Sequence, residues 1–385
     1  MNKAVVIIGA GPVGLIFALL NQINGFDTLI LESKSENQSL DDHRGLALSN
    51  GSRFILKEIG VWDDLTDKLT EIKSIHTSQK GTFGRTLMQA KEFKEDALGY
   101  IVSYANLITA LQKKLKKSKK INISYNSKAS QLLLKKEKSC LIYQDQRKKN
   151  ELFFDLLVLA DGGNASIPGI KITRSSKAFN HSAIVTQVVS ELPHQNIAYE
   201  RFTPAGPIAL LPNLKNKFSL VWTGKTNDVE QLMQLNDKVF LSELHKHFGD
   251  RVGDFISCEA KVAFPLKQSF VDIIKNKNVV VIGNSAQTIH PVAGQGLNTG
   301  LRDAFVLSNC ISSNSGLANI NLLLMNYIKL REAETKKLMR FTEVLVKGFS
   351  NDFVGLNKLR GFALTFLDLN HELKKTFVRK MSIGK

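Results

Sequence analysis

A run of apolar residues, Ala4-Val-Val-Ile-Ile8, leads directly into Gly9-Ala-Gly11-Pro-Val-Gly14. This junction constrains the fold more than any other part of the chain. A strand that is apolar on both faces belongs in the middle of a parallel sheet. Gly9 then permits a tight turn, Gly11 lets the backbone approach a pyrophosphate, and Gly14 lets the following helix pack close to the strand. Pro12 suits a first helical turn, where no N–H is needed. The helix N-terminus offers its unpaired N–H groups and positive dipole end to an anion. The helix is expected to run to about Asn24, with Thr28-Leu-Ile-Leu31 as the next strand. Glu32 ends that strand at the spacing of a ribose-hydroxyl acceptor; the alternative is an ordinary surface acid. The apolar stretch Ala4–Leu20 after Lys3 superficially resembles a signal peptide or anchor, but its glycines and Pro12 interrupt it and no clean cleavage site follows.

Two further motifs fall in the same class. Asn278–Ile282 is a second buried strand, and Gly283-Asn-Ser-Ala-Gln-Thr-Ile-His-Pro-Val-Ala-Gly-Gln-Gly-Leu-Asn298 follows it. Gly294 and Gly296 bracket Gln295 just before a helix expected near Leu297. The N–H groups at such a helix start stabilise an anion, which suits the negatively charged edge of a reduced flavin. A structural loop would explain two glycines but not the whole pattern. Asp161-Gly162 closes the strand Leu156–Ala160, where it reads either as a turn or as a further part of the same cofactor site.

The strand and helix pattern predicts an α/β fold, with a Rossmann-like domain interleaved with a mostly antiparallel sheet domain and followed by a helical tail. Residues 1–75, 97–175 and 261–345 form the nucleotide domain in this reading. Residues 76–96 and 176–260 form the sheet domain, whose expected strands are Val185–Val189, Ile197–Phe202, Ile208–Leu211 and Phe218–Trp222. Helices are expected over Gly51–Ile59 and Leu107–Lys117, and residues 346–385 form the tail.

Composition narrows the function classes. The net charge of +17 sits largely in Lys113–Lys120, Lys135–Lys138 and Arg147–Lys149, which read as solvated helix ends and loops. Neither a nucleic-acid motif nor interleaved aromatics accompany them, so nucleic acid is not an expected partner, while an anionic membrane surface is an alternative. Cys140, Cys258 and Cys310 lie far apart, in no zinc or disulfide pattern. The expected location is the reducing cytoplasm, at the periphery of the inner membrane if the tail rests there.

Taken in order and spacing, the three motifs resemble those of flavin monooxygenases of the para-hydroxybenzoate hydroxylase fold. Asp42-His-Arg-Gly-Leu-Ala-Leu-Ser49, followed by Gly51-Ser52, and Tyr199-Glu-Arg-Phe-Thr-Pro-Ala-Gly-Pro-Ile-Ala-Leu-Leu-Pro212 are similar to the ubiquinone-biosynthesis hydroxylases within that group. The resemblance spans nearly the whole chain. It implies FAD as cofactor, NAD(P)H as electron donor, and O2 and a polyprenyl phenol as substrates. Gly9, Gly11, Gly14 and Glu32 would hold the ADP half. Arg44 would lie near the pyrophosphate and flavin, with Asp161 and Gly162 near the cofactor cleft. Gly283 and Asn284 would meet the ribityl–pyrophosphate region, and Pro291 and Gly294, Gln295, Gly296, Leu297 and Asn298 would border the isoalloxazine ring.

Most relatives have Asp at 284 and His at 287. Asn284 and Gln287 favour the member that hydroxylates 2-polyprenyl-6-methoxyphenol para to its hydroxyl, through a flavin C4a-hydroperoxide. The alternatives are a sister enzyme acting at another ring position and a non-catalytic scaffold in a biosynthetic complex; oligomers are common in the family. One segment departs from the pattern: after Asp161-Gly162 the expected Ser is displaced to Ser166, and Pro168 stands where an Arg is usual, in the region linked to nicotinamide use. No catalytic base is assigned. His290 is read as a structural hydrogen-bonding residue and His43 as a loop residue. Phe349–Phe377 interleaves apolar residues with Lys358, Arg360, Lys374 and Lys375, as in an amphipathic helix pair that closes the core or rests on a membrane or partner protein.

Overall fold

The computed structural model describes residues 2–39, 42, 44–134, 138–145, 148–163, 166–274, 278–289, 294–313, 316–349 and 356–382. The first apolar run forms the strand Asn2–Ile8 at the centre of a sheet. Its parallel strands lie in the order Ile121–Ser124, Thr28–Leu31, Asn2–Ile8, Lys148–Leu159 and Val279–Val281. This is the strand order of a doubly wound dinucleotide-binding sheet. Alternation along the strands explains the unbroken apolar runs. Val5, Ile7 and Val158 face the helices Pro12–Ile23 and Gln295–Ser313, while Val6, Ile8 and Leu157 face a second core on the opposite side. Each such side chain contributes about 1.5–3 kcal/mol on burial. A hairpin, Ser127–Leu134 with Ser139–Asp145, extends the sheet antiparallel to Lys148–Leu159.

The second sheet runs Gln287–Thr288, Val262–Ile274, Ile172–Ser190, Lys217–Lys225, Gly206–Asn213, Ile197–Thr203, Ser74–Gln79 and Arg85–Gln89. Its pairing is antiparallel except between Ile197–Thr203 and Ser74–Gln79. That parallel pair joins the region near residue 76 to the region after 176, two segments distant in sequence. One face of the sheet packs against the helices Thr226–Gln234 and Asp237–Phe248 through Ile184, Phe218 and Phe240. The Val262–Ile274 strand, grouped from sequence with the nucleotide segments, instead pairs along its length with Ile172–Ser190. These two long strands run from one half of the molecule to the other, so their side chains meet changing surroundings and carry no single burial pattern.

The tail covers the exposed edge of the large sheet. Thr86 Oγ1 donates to Leu364 O at 2.7 Å, Leu87 N donates to Asp368 Oδ1 at 2.9 Å, and Lys374 Nζ donates to Leu87 O at 2.9 Å. A Cβ on Gly84 would lie 2.1 Å from Gly361 O, so the helix Leu356–Leu369 lies directly on the edge strand. Covering an edge in this way removes an unpaired pairing surface. Within the basic runs, Lys113 pairs with Asp64, Lys116 with Glu36 and Lys138 with Asp155 at the surface. Among the described residues, no helix is long and apolar enough to cross a membrane.

A buried ionic cluster ties the helix Ile320–Phe349 to the Gly283 turn. Asp303, which is 1% exposed, accepts from Arg331 Nε at 2.7 Å, Gln287 Nε2 at 2.6 Å and Gly283 N at 2.9 Å. Arg331 also pairs with Glu334, which pairs in turn with Arg302. Arg331→Met strands the Asp303 charge in the core and is expected to cost about 3–5 kcal/mol. Urea unfolding of the purified variant measures this, and a loss below about 1 kcal/mol would place the cluster among energetically neutral pairs.

Candidate cofactor and substrate cavity

The three glycines of the first turn have separate local reasons. Gly9 has φ +106°, and a Cβ there would lie 2.6 Å from Ala160 O. A Cβ on Gly14 would lie 2.2 Å from Gly9 O. Protein packing alone therefore requires both. Gly11 differs, because a Cβ there would find only Tyr104 Oη, at 3.9 Å. The space beside it belongs to a cavity of about 1140 Å³. Gly11 also precedes the helix in an extended conformation with no side-chain cap, and no acid stands in the first helical turn. Ser49, Ser103 and Asn236 cap helices elsewhere in the chain, so the bare N-terminus at Pro12 is a local feature. Its amide groups and positive end remain available to an anion in the cavity. Glu32 stands at the cavity wall, where its Oε2 accepts from Ala10 N at 2.7 Å and its Oε1 from Lys34 N at 2.9 Å.

The second half of the cradle is tied to the first by close backbone contacts. Gly283 has φ +63°, and its Cβ position lies 3.2 Å from the Val13 side chain; a Cβ on Gly300 would lie 2.7 Å from Val13 Cγ2. Asn284 is exposed on the cavity wall. Ser285 Oγ donates to Asp161 Oδ1 at 2.6 Å, and Gly163 N lies 3.1 Å from the same oxygen. These bonds join the Asp161-Gly162 turn to the Gly283 turn. The helix Gln295–Ser313 begins two residues earlier than its sequence pattern suggests, and Gly294, Gln295, Gly296, Leu297 and Asn298 all line the cavity.

Asn298 is a brace within this wall. Its Oδ1 accepts from Ser49 N at 2.8 Å and Ser52 Oγ at 2.7 Å, and its Nδ2 donates to Ala47 O and Gly294 O, each at 2.9 Å. The amide is thus fully engaged with protein. Pro291 and His290, read as flavin-loop residues, and His43 lie outside the described residues.

Arg44 reaches the same cavity, ion-paired to Asp42 at 2.9 Å with its guanidinium 5.1 Å from the centre of the Tyr104 ring. Burial pushes the Tyr104 phenol up, opposed by the Arg44 charge. Tyr104 was not legible as a site residue. It opens a helix in the sequence, and only the fold carries it beside Gly11.

Beyond the cradle the cavity continues over the large sheet. Ala198, Glu200 and Phe202 alternate onto the cavity face, with Thr77 and Ala209 paired to Glu200 on either side. Leu364, Leu367, Phe377 and Val378 of the tail form the opposite wall. Glu200 is the carboxylate on this sheet face, and burial pushes its pKa up to about 7. The sequence string around Tyr199 marked this segment without giving Glu200 a role.

The cradle fits FAD: two glycine-rich turns, two helix starts with no acid in their first turns, and an acid at the end of the second strand border one cavity. Gly11→Ala is expected to leave unfolding of the FAD-free protein unchanged while lowering FAD affinity at least ~10-fold, because even a modest loss of about 1.4 kcal/mol at the anion site has that effect. Gly14→Ala is expected to impair both folding and FAD binding, since its Cβ meets backbone. Flavin absorbance per chain and thermal unfolding measured together distinguish the two; equal behaviour of the variants would remove the assignment of Gly11 to the phosphates.

Comparison with known proteins agrees with this geometry. Residues 2–342 match the family model described as FAD binding domain. The chain is 28% identical to the ubiquinone hydroxylase UbiL of Rhodospirillum rubrum, covering 97% of this chain and 88% of that one. It is also 28% identical to the 3-demethoxyubiquinol 3-hydroxylase of Escherichia coli, covering 96% of each. The crystal structure of the p-nitrophenol 4-monooxygenase PnpA from Pseudomonas putida superposes with a TM-score of 0.82, at 16% identity, over 99% of this chain and 98% of that one. With the first turn, the Asp161 turn and the Gln295 helix all inside the matched span, the chain belongs to the FAD binding domain family, as an FAD-dependent monooxygenase related to ubiquinone-pathway hydroxylases.

Proposed function

We propose that this protein hydroxylates the phenol ring of a polyprenylated ubiquinone precursor, with 2-polyprenyl-6-methoxyphenol as substrate and oxygen entering para to the hydroxyl. The supporting observation is the single cavity, which joins the FAD cradle to an apolar sheet face walled by the tail. Bound and reduced, FAD supplies the activated oxygen atom from O2. The protein's share is positioning and exclusion. The helix starts at Pro12 and Gln295 take the negative charge of the cofactor. Gly11 leaves room for the pyrophosphate, and Glu32 is placed for the ribose. Ala198, Phe202 and Leu364 enclose the phenol ring and keep water from it.

The tail gives the prenyl chain its path. Its inner face lines the cavity, while Phe362, Phe366 and Leu369 are exposed on its outer face, Leu369 to 81%. An apolar chain leaving the cavity passes along these helices, and the same outer face makes peripheral contact with a membrane or with other subunits of a biosynthetic complex. NAD(P)H is the proposed electron donor. Pro168 removes the usual cation from the Asp161 segment, but Arg174 Nη1 lies 3.7 Å from the Cβ position of Gly163 and offers a guanidinium to a dinucleotide there. The relative named 3-demethoxyubiquinol 3-hydroxylase favours a second reading, hydroxylation at another ring carbon of a later intermediate.

Mass spectrometry of lipid extracts from cells lacking the gene separates these readings. The proposed substrate is expected to accumulate and to disappear when the intact gene is restored. Accumulation of a demethoxylated quinol would move the reaction to the second ring position, and an unchanged quinone pool would remove the pathway assignment. Deleting the chain from Phe349 onward is expected to abolish membrane association and turnover while FAD is still retained. Outright loss of flavin from the shortened protein would make the tail a part of the core fold alone.

A further inference from the structure

We propose that Glu200 is the base that accepts the phenolic proton of the substrate. This rests on the hydroxylase reading above and names a residue for a step that reading leaves unassigned. Three observations carry it. First, Glu200 lies on the cavity face of the strand Ile197–Thr203, between Thr77 and Ala209 in register. Second, its carboxyl has no hydrogen bond or ion pair with any described residue, although acids elsewhere in the interior, such as Asp303, are fully engaged. Glu200 is half-buried and opens onto the cavity, so its unpaired carboxyl is presented to whatever fills the apolar half. Third, the charged groups near it in sequence face away. His76 contacts the Tyr199 ring at 5.7 Å, and Arg201 Nη1 donates to Ser78 Oγ at 3.0 Å, all on the opposite sheet face. On the tail wall, Lys374 is committed to Asp368, Glu92 and Leu87 O. The other charged groups of the cavity, Glu32, Lys34, Arg44, Lys128 and Asp161, belong to its cofactor half.

The chemistry of the site follows from desolvation. Removal from water pushes the Glu200 carboxyl up to about 7, far above the ordinary glutamate value near ~4.3. It is therefore protonated in mild acid and ionised above neutrality. A carboxyl with a raised pKa is a stronger base than a solvated one and is better matched to a phenol. The phenol O–H bond breaks, the proton passes to Glu200, and the electron pair stays on the ring oxygen. That pair enriches the para carbon, the position at which oxygen is added. After addition the para carbon gives up its own hydrogen to solvent as a proton, and the proton on Glu200 returns to the ring oxygen. Glu200 ends the cycle ionised, as it began.

The test compares the FAD-loaded wild type with Glu200→Gln, which preserves shape and removes the base. With a short-chain 2-alkyl-6-methoxyphenol, wild-type kcat/KM is expected to rise with pH through about 7, while E200Q loses that limb and falls ~10²-fold or more. A ring-fluorinated analogue, already ionised at the assay pH, is expected to restore E200Q to within a few-fold of wild type. Persistence of the limb in E200Q, or equal losses with both phenols, overturns the proposal. Binding of 2-methoxyphenol, which stays un-ionised across neutral pH, followed by the absorbance of the bound flavin, provides a readout apart from turnover. Wild-type affinity is expected to show a step near 7 that E200Q lacks, and absence of the step overturns the proposal. If the step is present but no phenol is hydroxylated, the hydroxylase reading fails while the proton site stands.

Discussion

Two helix starts share one cavity because their backbones approach more closely than side chains permit. Gly14 lies under the Gly9 carbonyl, and Val13 inserts against both Gly283 and Gly300. Each contact is one that a Cβ would close. The arrangement places the positive ends of the helices Pro12–Ile23 and Gln295–Ser313 along one wall, where they act together on an anionic cofactor. The Asp303 cluster supports this from behind by holding the Gly283 amide and bracing it to the helix Ile320–Phe349. Asn298 does the same on the other side, clamping the strand Gly45–Leu48 and the start of the helix Asn50–Glu58 to the Gln295 helix.

The cavity is electrostatically divided as a result. Its cofactor half is bordered by amide groups and by Glu32, Lys34, Arg44, Lys128 and Asp161, and its sheet half is apolar apart from Thr77, Thr86 and Glu200. An anionic cofactor and a greasy phenol therefore favour different ends of the same space. In the apolar half a lone carboxyl is pushed toward neutrality by the same water exclusion that protects a reactive oxygen donor. The tail contributes to both ends of this logic, since it walls the substrate half and covers the sheet edge that would otherwise be open.

The nucleotide half was the most legible from sequence, because its strands are buried on both faces and its turns need glycine at fixed spacing. The strands before and after Gly9 and before Gly283 fall where the apolar runs predict. The hairpin Ser127–Leu134 with Ser139–Asp145 was not anticipated, because a bulge between Ile142 and Tyr143 shifts its register and interrupts its alternation. The partner of the Val262–Ile274 strand was not legible either. Its exposed residues Val262 and Phe264 are apolar, so hydropathy does not report which partner it pairs with. In the site, Gly11 and Glu32 were picked out from sequence and both line the cavity, whereas the engaged amide of Asn298 shows that motif membership does not define a side chain's task.

Local chemistry along the chain determined the βαβ opening, the two glycine turns and the class of cofactor they accept, since turn conformation and strand burial depend on neighbouring residues alone. Only the tertiary structure decided that Tyr104 stands beside Gly11, that the tail walls the cavity, and that Glu200 faces it with no partner among the described residues. Those facts depend on contacts between segments far apart in sequence, such as Ser74–Gln79 with Ile197–Thr203 and Thr86 with Leu364. The environment of a carboxyl, and therefore its affinity for a proton, is set by the atoms that surround it and has no signature in the residues on either side.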